Sequence, residues 1–370
     1  MGVYRKQTTA EYDYLIVGQG LAGSLLAWRL MQRGQQVLIA DSGTGTSASL
    51  TAAGLVNPIT GQRLVKTPGI DQYLPVAKQL YGDLQGFFGQ PFYFERPQIR
   101  LLTNPKERNI YKKRFSDPTY SPFLGQYFDK YGDQDNLANE LGGFHQKQCG
   151  YLDTVQLLTQ LEHYFREKRA IIRSKLDLAD LHLDSIRHRW KRRQFKHVIF
   201  CEGFQAMNNP WFSWLPFQLA KGEILTLKME RELSNEIILK GNWLLPLSNR
   251  LLKTGANYQW DILDNKPTKQ IAIKLLDAFK AFYKKPPEIE IAMHQAGVRP
   301  ATKDRQPFIG CHPRQRGIHI FNGFGSKGTL LIPWFSQRFT ESLLTGAPLP
   351  VEANITRYST HQPTPLPTRF

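Results

Sequence analysis

The chain has few cysteines and no long apolar run. Its 370 residues include only three cysteines, which form no CxxC pair: Cys149, Cys201 and Cys311. This spacing excludes the disulfide frameworks of small secreted proteins and favours a reducing compartment, so we expect a cytoplasmic protein. The histidines show no metal-ligand spacing, and we expect no metal site. No stretch approaches the roughly 18 apolar residues of a membrane span, and we expect no transmembrane segment.

Acidic residues are scarce relative to basic ones. The chain carries 48 lysines and arginines against 31 aspartates and glutamates, a formal charge of +17 at pH 7. Such an excess is ordinary for a solvated basic surface, and it also favours contact with phosphate-rich partners such as RNA. Two basic runs, Tyr111 to Phe115 and Arg187 to His197, interleave cations with aromatic residues. They are the candidate RNA contacts, and charged solvated segments are the alternative.

A glycine-rich turn stands near the N-terminus, in YDYLIVGQGLAGSLLAWRL. The pattern predicts a strand at 14–17, a helix at 22–33 and a second strand in QQVLIAD. This order is a βαβ unit, which requires a parallel sheet. Gly18, Gly20 and Gly23 match the G-x-G-x-x-G fingerprint of a dinucleotide site. Asp41 follows about twenty residues on, where an acid binds a ribose hydroxyl and disfavours NADP. NAD and FAD both remain open on this fingerprint.

Seven further blocks follow in order: TAAGLVNP, CGYLDTVQLL, HVIFCEGF, KGEIL, WLLPLSNRLLKTGANY, GVRPATKDRQPFIG and GFGSKGTLLIP. The resemblance that they carry, together with the glycine turn, runs from residue 12 to about residue 344 and is strongest at its two ends. They resemble the D-amino-acid oxidase-like superfamily of FAD-dependent oxidoreductases, most closely the glycine and sarcosine oxidase branch. They are also similar to the FAD domain of the bifunctional enzyme that makes methylaminomethyl-uridine in tRNA.

The resemblance implies an α/β fold with two domains. A Rossmann-like FAD-binding domain, with a parallel sheet and flanking helices, is expected from residues 12–80, 149–205 and 295–345. A second α+β substrate domain with a mostly antiparallel sheet is expected from 81–148 and 206–294, between flexible tails at 1–11 and 346–370. The FAD is expected to be non-covalent, because Cys311 lies beyond the position where sarcosine oxidases place their flavin-linking cysteine.

The same resemblance implies the cofactor contacts by position. The ADP half of FAD is expected at Gly18, Gly20, Leu21, Ala22, Gly23 and Asp41, with Gly203 on its other side. The flavin ring is expected beside Ser49, Thr51, Ala52, Ala53, Gly54 and Leu55. Backbone N–H groups of Gly323, Gly325, Ser326, Lys327, Gly328 and Thr329 would face the flavin edge that becomes negative on reduction. Glu202 departs from the small residue usual before Gly203, and we expect its carboxylate to turn away toward a basic residue.

Three residues are the candidates for substrate contact. Arg299 is expected to bind a substrate carboxylate, because a planar guanidinium grips it with two hydrogen bonds. A surface or inter-strand salt bridge is the alternative for Arg299. Trp243 is expected over the active site, with a core position as the alternative. Lys327 would contact flavin or substrate, or point to solvent.

The resemblance therefore implies an FAD-dependent enzyme that oxidises the C–N bond of a small amino acid or secondary amine by hydride transfer. Oxygen or another acceptor would take the electrons, and no general base is identified or required. Two alternatives remain open. The first is a tRNA-modification enzyme that oxidises a carboxymethylamino group of a nucleoside. The second is a flavin-binding partner subunit of a dehydrogenase complex.

Overall fold

The computed structural model describes residues 10–43, 47–131, 136–184, 186–230, 234–247 and 250–361. The strands are β1 (Ala10–Val17), β2 (Val37–Asp41), β3 (Leu55–Val56), β4 (Ile59–Thr60), β5 (Val65–Lys66), β6 (Tyr93–Glu95), β7 (Gln98–Leu101), β8 (Leu124–Phe128), β9 (Gly143–Gln146), β10 (Gly150–Leu152), β11 (Ile171–Arg173), β12 (Leu181–His182), β13 (His188–Trp190), β14 (Arg193–Phe200), β15 (Ala220–Met229), β16 (Ile237–Lys240), β17 (Asn242–Pro246), β18 (Leu251–Gly255), β19 (Ile289–Arg299), β20 (Phe308–Cys311) and β21 (Ile318–Asn322). The α-helices are α1 (Leu21–Gln32), α2 (Ala48–Thr51), α3 (Ile70–Phe88), α4 (Pro105–Phe115), α5 (Thr154–Glu167), α6 (Lys269–Lys280) and α7 (Gly328–Thr345). Short 3₁₀ helices span Pro118–Tyr120, Leu178–Asp180, Gly203–Asn208 and Ile355–His361.

The chain forms two compact units, each assembled from separate segments. Unit 1 comprises Met1–Gly45, Leu157–Leu219 and Arg299–Phe370, and unit 2 comprises Thr46–Gln156 and Ala220–Val298. This division differs from the expected domains, since residues 46–80 and 149–156 belong to unit 2, residues 206–219 belong to unit 1, and residues 295–298 belong to unit 2. The first two segments stay together because β3 pairs with β10. The third joins unit 1 because its apolar side chains, Trp211 and Phe212 among them, enter that core.

Unit 1 is built on a parallel sheet. Five strands lie side by side and parallel, in the order β11, β2, β1, β14 and β21. The hairpin of β12 and β13 extends this sheet, because β13 pairs antiparallel with the first residues of β14. Both β1 and β2 are almost wholly apolar at their buried ends, as expected for strands covered on two faces. Helix α1 buries Leu25, Leu26 and Leu30 against the sheet. The expected Rossmann-like domain is confirmed.

The C-terminal segment folds onto unit 1 instead of hanging free. Helix α7 ends at Thr345 and is capped by Gly346, whose φ of 75° is left-handed. The next residues return to the sheet, where the carbonyl of Ala353 accepts a hydrogen bond from the Ile309 N–H at 2.9 Å. Ile355 is fully buried, and Arg357 pairs with Asp304 at 2.8 Å. The segment expected as a tail from 346 is thus packed as far as Tyr358, while 1–9 and 362–370 lie outside the described residues.

Unit 2 is built on a mostly antiparallel eight-stranded sheet in the order β19-β15-β18-β17-β16-β7-β9-β8, with β16 and β7 parallel. One face carries Leu225, Leu244 and Leu252 against Leu275 and Phe279 of α6. The opposite face therefore carries the alternate residues of the same strands. The expected α+β domain is confirmed. No helix in the described ranges is both long and apolar enough to cross a membrane.

Candidate cofactor and substrate site

The carboxyl ends of four neighbouring parallel strands meet at one edge of the unit 1 sheet. Asp41 ends β2, and Gly18, Gly203 and Gly323 follow β1, β14 and β21. The side chain of Asn322 ties two of these loops together, donating to the carbonyl of Gly203 at 2.9 Å. This edge is where open α/β sheets bind their ligands. Four expected cofactor residues are therefore neighbours in space.

The turn after β1 has no room for side chains. Gly18 has a left-handed φ of 102°, and a Cβ there would lie 2.6 Å from the carbonyl oxygen of Cys201. A Cβ on Gly23 would overlap the carbonyl oxygen of Gly18. These approaches bring the first turn of α1 directly against the strand that precedes it. The turn fits the close backbone approach that a pyrophosphate requires.

The start of α1 is suited to an anion. Gly20 is the N-cap residue, Leu21 and Ala22 open the helix, and the first turn contains no acidic residue. A helix N-terminus carries a partial positive charge, which favours phosphate groups. The residues present at this turn therefore fit a dinucleotide.

The carboxylate of Asp41 is held in place by three donors. It accepts the N–H groups of Gln19 and Gly43, each at 2.8 Å, and Nη1 of Arg173 at 2.6 Å. Arg173 lies opposite Asp41 in the pairing of β11 with β2, and it also contacts Glu162. A carboxylate offers about four acceptor positions, so one remains for a ribose hydroxyl. Arg173 has no sequence signal, because its role depends on which strand lies beside β2.

Glu202 accepts a hydrogen bond from an amide and lies within the field of one basic residue. Its Oε2 accepts a hydrogen bond from Nδ2 of Asn209 at 2.8 Å. Burial raises the pKa of the Glu202 carboxyl to about 7, and the Asn209 bond and the charge of Lys175 offset only part of this effect. The hydrogen-bond donor is therefore Asn209, which folds back from the following 3₁₀ turn, and the basic residue Lys175 acts through its charge. Near neutral pH the carboxyl therefore carries less negative charge than an exposed glutamate.

The loop after β21 leads into the N-terminus of α7. Gly323 and Gly325 have left-handed φ values of 85° and 55°, and the N–H of Gly325 donates to the carbonyl of Pro300 at 3.1 Å. The helix begins with Gly328 and Thr329 directly after Ser326 and Lys327, and its first turn contains no acidic residue. A second positive helix end thus lies after a strand of the same sheet edge.

Lys327 is partly buried at this helix start. Burial, and then the positive charge of Arg305, lowers the pKa of its amine. This burial does not fit a side chain that points simply to solvent, which was one of the alternatives for Lys327. Contact with flavin or substrate stays a prediction.

In unit 2 the segment expected beside the flavin ring lies against the end of β19. Helix α2 contains Ser49 and Thr51 and ends at its cap residue Ala52. The hydroxyl of Thr51 donates to the carbonyl of Ala296 at 3.1 Å, and a Cβ on Gly297 would lie 3.1 Å from Thr51. The last residues of β19 therefore pack closely against this segment.

Gly54 turns the chain out of this segment. It has a left-handed φ of 72°, and a Cβ there would overlap the carbonyl of Leu152. Its own carbonyl accepts the Leu152 N–H at 2.9 Å. Leu55 then begins β3 beside β10.

Trp243 shares a cluster with the same segment. Ala53 and Leu55 pack together with Tyr151 and Trp243 on the face of the sheet opposite α6. Trp243 is half-buried and is paired in register with Gly255, where a Cβ would come within 3.3 Å of the indole. The two expected features, the flavin-side segment and the aromatic residue, are brought together within unit 2.

Lys253 is a residue on this face that the sequence patterns did not single out. It pairs with Leu245 of β17 and Thr226 of β15, so it points to the same side as Trp243. Burial lowers the pKa of its amine, and the negative charge of Asp153 opposes this shift. Period-two alternation in RLLKTG, which separates Lys253 from Leu252 and Thr254, is the signal that could have found it.

Arg299 is the last residue of β19 and is half-buried. Its carbonyl accepts the N–H of Ala301 at 2.9 Å, so the chain turns directly after it. Among the described residues, no group of three histidine, cysteine or acidic side chains is arranged to hold a metal ion.

Comparison with known proteins identifies the family. The model of the FAD dependent oxidoreductase family matches residues 13–342. The chain is 24% identical to the tRNA 5-methylaminomethyl-2-thiouridine biosynthesis bifunctional protein of Leptospira interrogans, over 93% of this chain and 59% of that protein. It therefore spans less than two thirds of that relative. It is 23% identical to the glycine oxidase of Geobacillus kaustophilus, over 88% of this chain and 91% of the oxidase.

Solved structures share the fold. The crystal structure of glycine oxidase from Geobacillus kaustophilus superposes with a TM-score of 0.78 at 22% identity, covering 90% of this chain and 95% of that one. Iminodiacetate oxidase from Chelativorans sp. BNC1 superposes with a TM-score of 0.75 at 19% identity, covering 91% and 96%. FAD is the cofactor of the family, and the glycine turn and open helix ends described above fit it. The chain belongs to the family of FAD-dependent oxidoreductases.

Proposed function

We propose that this oxidoreductase oxidises the C–N bond of a small amino acid or secondary amine that carries a carboxylate. One observation carries the proposal: β19, which ends at Arg299, is fitted against Thr51 in the segment expected beside the flavin ring. A guanidinium at the end of such a strand would hold a carboxylate with two charge-assisted hydrogen bonds.

The proposed chemistry is a two-electron oxidation. Bound FAD supplies the acceptor for a hydride from the carbon next to nitrogen. Arg299 fixes the carboxylate and so orients this carbon, while Trp243 covers the substrate and limits the access of water. The nitrogen lone pair forms the C=N bond, and water then hydrolyses the imine to a carbonyl compound and either ammonia, from a primary amine, or a smaller amine, from a secondary one. Oxygen or another acceptor takes up the two electrons.

The remaining site residues are proposed to hold the cofactor. The turn from Gly18 to Gly23 and Asp41 would bind its ADP half, and Gly203 would approach it from the β14 side. The start of α7, with Lys327, would lie at the flavin edge that becomes negative on reduction, where a positive helix end stabilises charge. We propose that FAD is held without a covalent bond.

The comparisons support an amine substrate. Glycine oxidase and iminodiacetate oxidase, two similar proteins, are named for amines that carry carboxylates. We place the reaction in the cytoplasm, in keeping with three free cysteines, of which Cys149 and Cys201 are buried.

Anaerobic reduction of the bound flavin tests the proposal. The purified holoenzyme is mixed with glycine, sarcosine, proline, iminodiacetate and D-amino acids, and bleaching of the flavin absorbance is followed. We expect bleaching by at least one of them. Arg299→Ala should lower the rate at subsaturating substrate by about 100-fold or more, since a charge-assisted bidentate contact is lost, and Arg299→Lys should restore only part of it.

Arg189→Ala is the matched control, because Arg189 is exposed on β13 and pairs with Gln194 at the start of β14, the end of that strand opposite to the one that leads to Gly203. It should leave the reduction rate unchanged. Absence of bleaching by every amine, with FAD bound, would refute the proposed substrate class.

A tRNA nucleoside is the second candidate substrate, favoured by the relative from Leptospira interrogans and by the charge of +17. The two basic runs give it little support as stacking surfaces. The side chains of Trp190 and Phe195 are fully buried, and that of Tyr111 is 4% exposed. Phe115, in contrast, is 48% exposed and could stack on a base. Binding to RNA that weakens steeply with salt, together with flavin reduction only by a modified nucleoside, would favour this candidate.

A further inference from the structure

The loop between β18 and α6 exposes three large apolar side chains. Tyr258 is 53% exposed, Trp260 61% and Ile262 45%. The rings of Tyr258 and Trp260 stack with centroids 6.2 Å apart. Large apolar side chains that are exposed together commonly mark an interaction surface, because soluble proteins rarely expose large contiguous apolar patches. We call residues 258–262 the apolar tip.

The apolar tip is held by a buried anchor. The backbone of Gln259 exchanges two hydrogen bonds with that of Lys221, at 2.8 and 3.0 Å. The fully buried amine of Lys221 donates to Asp264 and to the carbonyl of Lys266, each at 2.6 Å. A loop fastened at both ends in this way is preorganised, so its apolar side chains are presented in a set arrangement.

Exposed lysines follow the apolar tip. Residues 258–285 contain six lysines and three aspartates, and one of the aspartates, Asp264, is paired with buried Lys221. Lys269, Lys274 and Lys280 on α6 are exposed and form no ion pair within the described part of the chain. Ile273, on the same helix, is 51% exposed. The apolar tip and the helix that follows it in sequence therefore both expose hydrocarbon, and they add aromatic rings and lysines without ion pairs in the described part of the chain.

An anionic lipid surface fits this combination better than RNA or a second copy. Tryptophan and tyrosine favour the headgroup region, isoleucine enters the acyl boundary, and lysines are attracted to anionic headgroups. RNA would use the rings for stacking but would leave the two isoleucines without a partner. A second copy of the chain would bring its own excess of positive charge against these lysines.

We propose that the apolar tip and the adjoining lysines of α6 dock the protein reversibly on membranes rich in anionic lipid. The proposal is independent of the substrate. It requires no spanning helix, since the side chains would enter only the headgroup and upper acyl region.

Vesicle sedimentation tests the proposal. The full-length holoenzyme is mixed with vesicles of phosphatidylcholine alone or with phosphatidylglycerol added, at low and high salt. We expect binding to the anionic vesicles that weakens with salt. Trp260→Ser with Ile262→Ser should lower the partition coefficient at least about tenfold. Lys269→Gln with Lys274→Gln should lower it about fivefold for each charge removed.

Phe87→Ser is the matched control, since Phe87 is 56% exposed on α3 of the same unit. It should bind vesicles as the parent does. Failure to bind anionic vesicles, or equal binding by the parent and the Trp260→Ser, Ile262→Ser variant, overturns the proposal. The proposal is also overturned if the Trp260→Ser, Ile262→Ser variant loses self-association or RNA binding but still binds vesicles.

Discussion

Acidification should destabilise unit 1 through a pair of buried histidines. Nδ1 of His197 lies 3.1 Å from Nε2 of His319. Burial, with smaller contributions from neighbouring positive charge, lowers the pKa of His197 to about 4 and that of His319 to about 3. His188, Lys196 and Arg316 act in the same direction on His197, and Asp13 opposes them.

The sign and size of the effect follow from linkage. A histidine whose folded pKa lies below its unfolded value of about 6.5 stabilises the fold above that pH, and this stability is lost as the pH falls. At pH 5 the unfolded histidines are almost fully protonated, whereas the folded ones remain mostly neutral. Between pH 7 and pH 5 each histidine therefore removes about 2 kcal/mol from the free energy of unfolding, or about 4 kcal/mol for the pair.

Urea unfolding at pH 7, 6 and 5, followed by tryptophan fluorescence at a fixed FAD concentration, measures this loss. His319→Gln keeps a polar partner for His197 but removes one proton site, so the drop between pH 7 and pH 5 should shrink by about 2 kcal/mol. His182→Gln, at an exposed position, is the control and should leave the drop unchanged. If His319→Gln shows the same pH dependence as the parent protein, the reasoning from the buried pair is refuted.

Two further substitutions test the glycine turn and the loop anchor. Gly23→Ala places a methyl group on a backbone carbonyl and should weaken FAD binding and cost about 1–3 kcal/mol in a thermal or urea unfolding assay, whereas Gly82→Ala, with open space around it, should not. Tight FAD binding by the Gly23 variant would contradict the role of this turn. Lys221→Met removes the buried ammonium that lies 3.6 Å from fully buried Glu223, which keeps His294 and Thr268 as partners, and should cost about 3–5 kcal/mol. Lys228→Met, at an exposed pair, should change the free energy of unfolding by less than about 1 kcal/mol, and equal losses in the two variants would contradict the argument.

Much of the fold could be predicted because its signals are local. The apolar run before Gly18, the glycine spacing and the helix after it specify a βαβ unit through neighbouring residues alone, and the structure has these elements within about two residues at most boundaries. The mostly antiparallel second sheet, which the family resemblance implied, was likewise confirmed. The boundaries between the units were harder to predict from the sequence, because they depend on pairings such as that of β3 with β10, which are about 95 residues apart.

Within the candidate site, the sequence by itself determined the residues that need a special backbone: Gly18 and Gly23 at the turn, and the glycines before α7. Tertiary structure alone decided which side chains reach them. Arg173 meets Asp41 because β11 lies beside β2, and Asn209 meets Glu202 because a turn folds back. Backbone geometry is encoded by neighbours along the chain, whereas a hydrogen-bond or ion-pair partner depends on how distant segments pack.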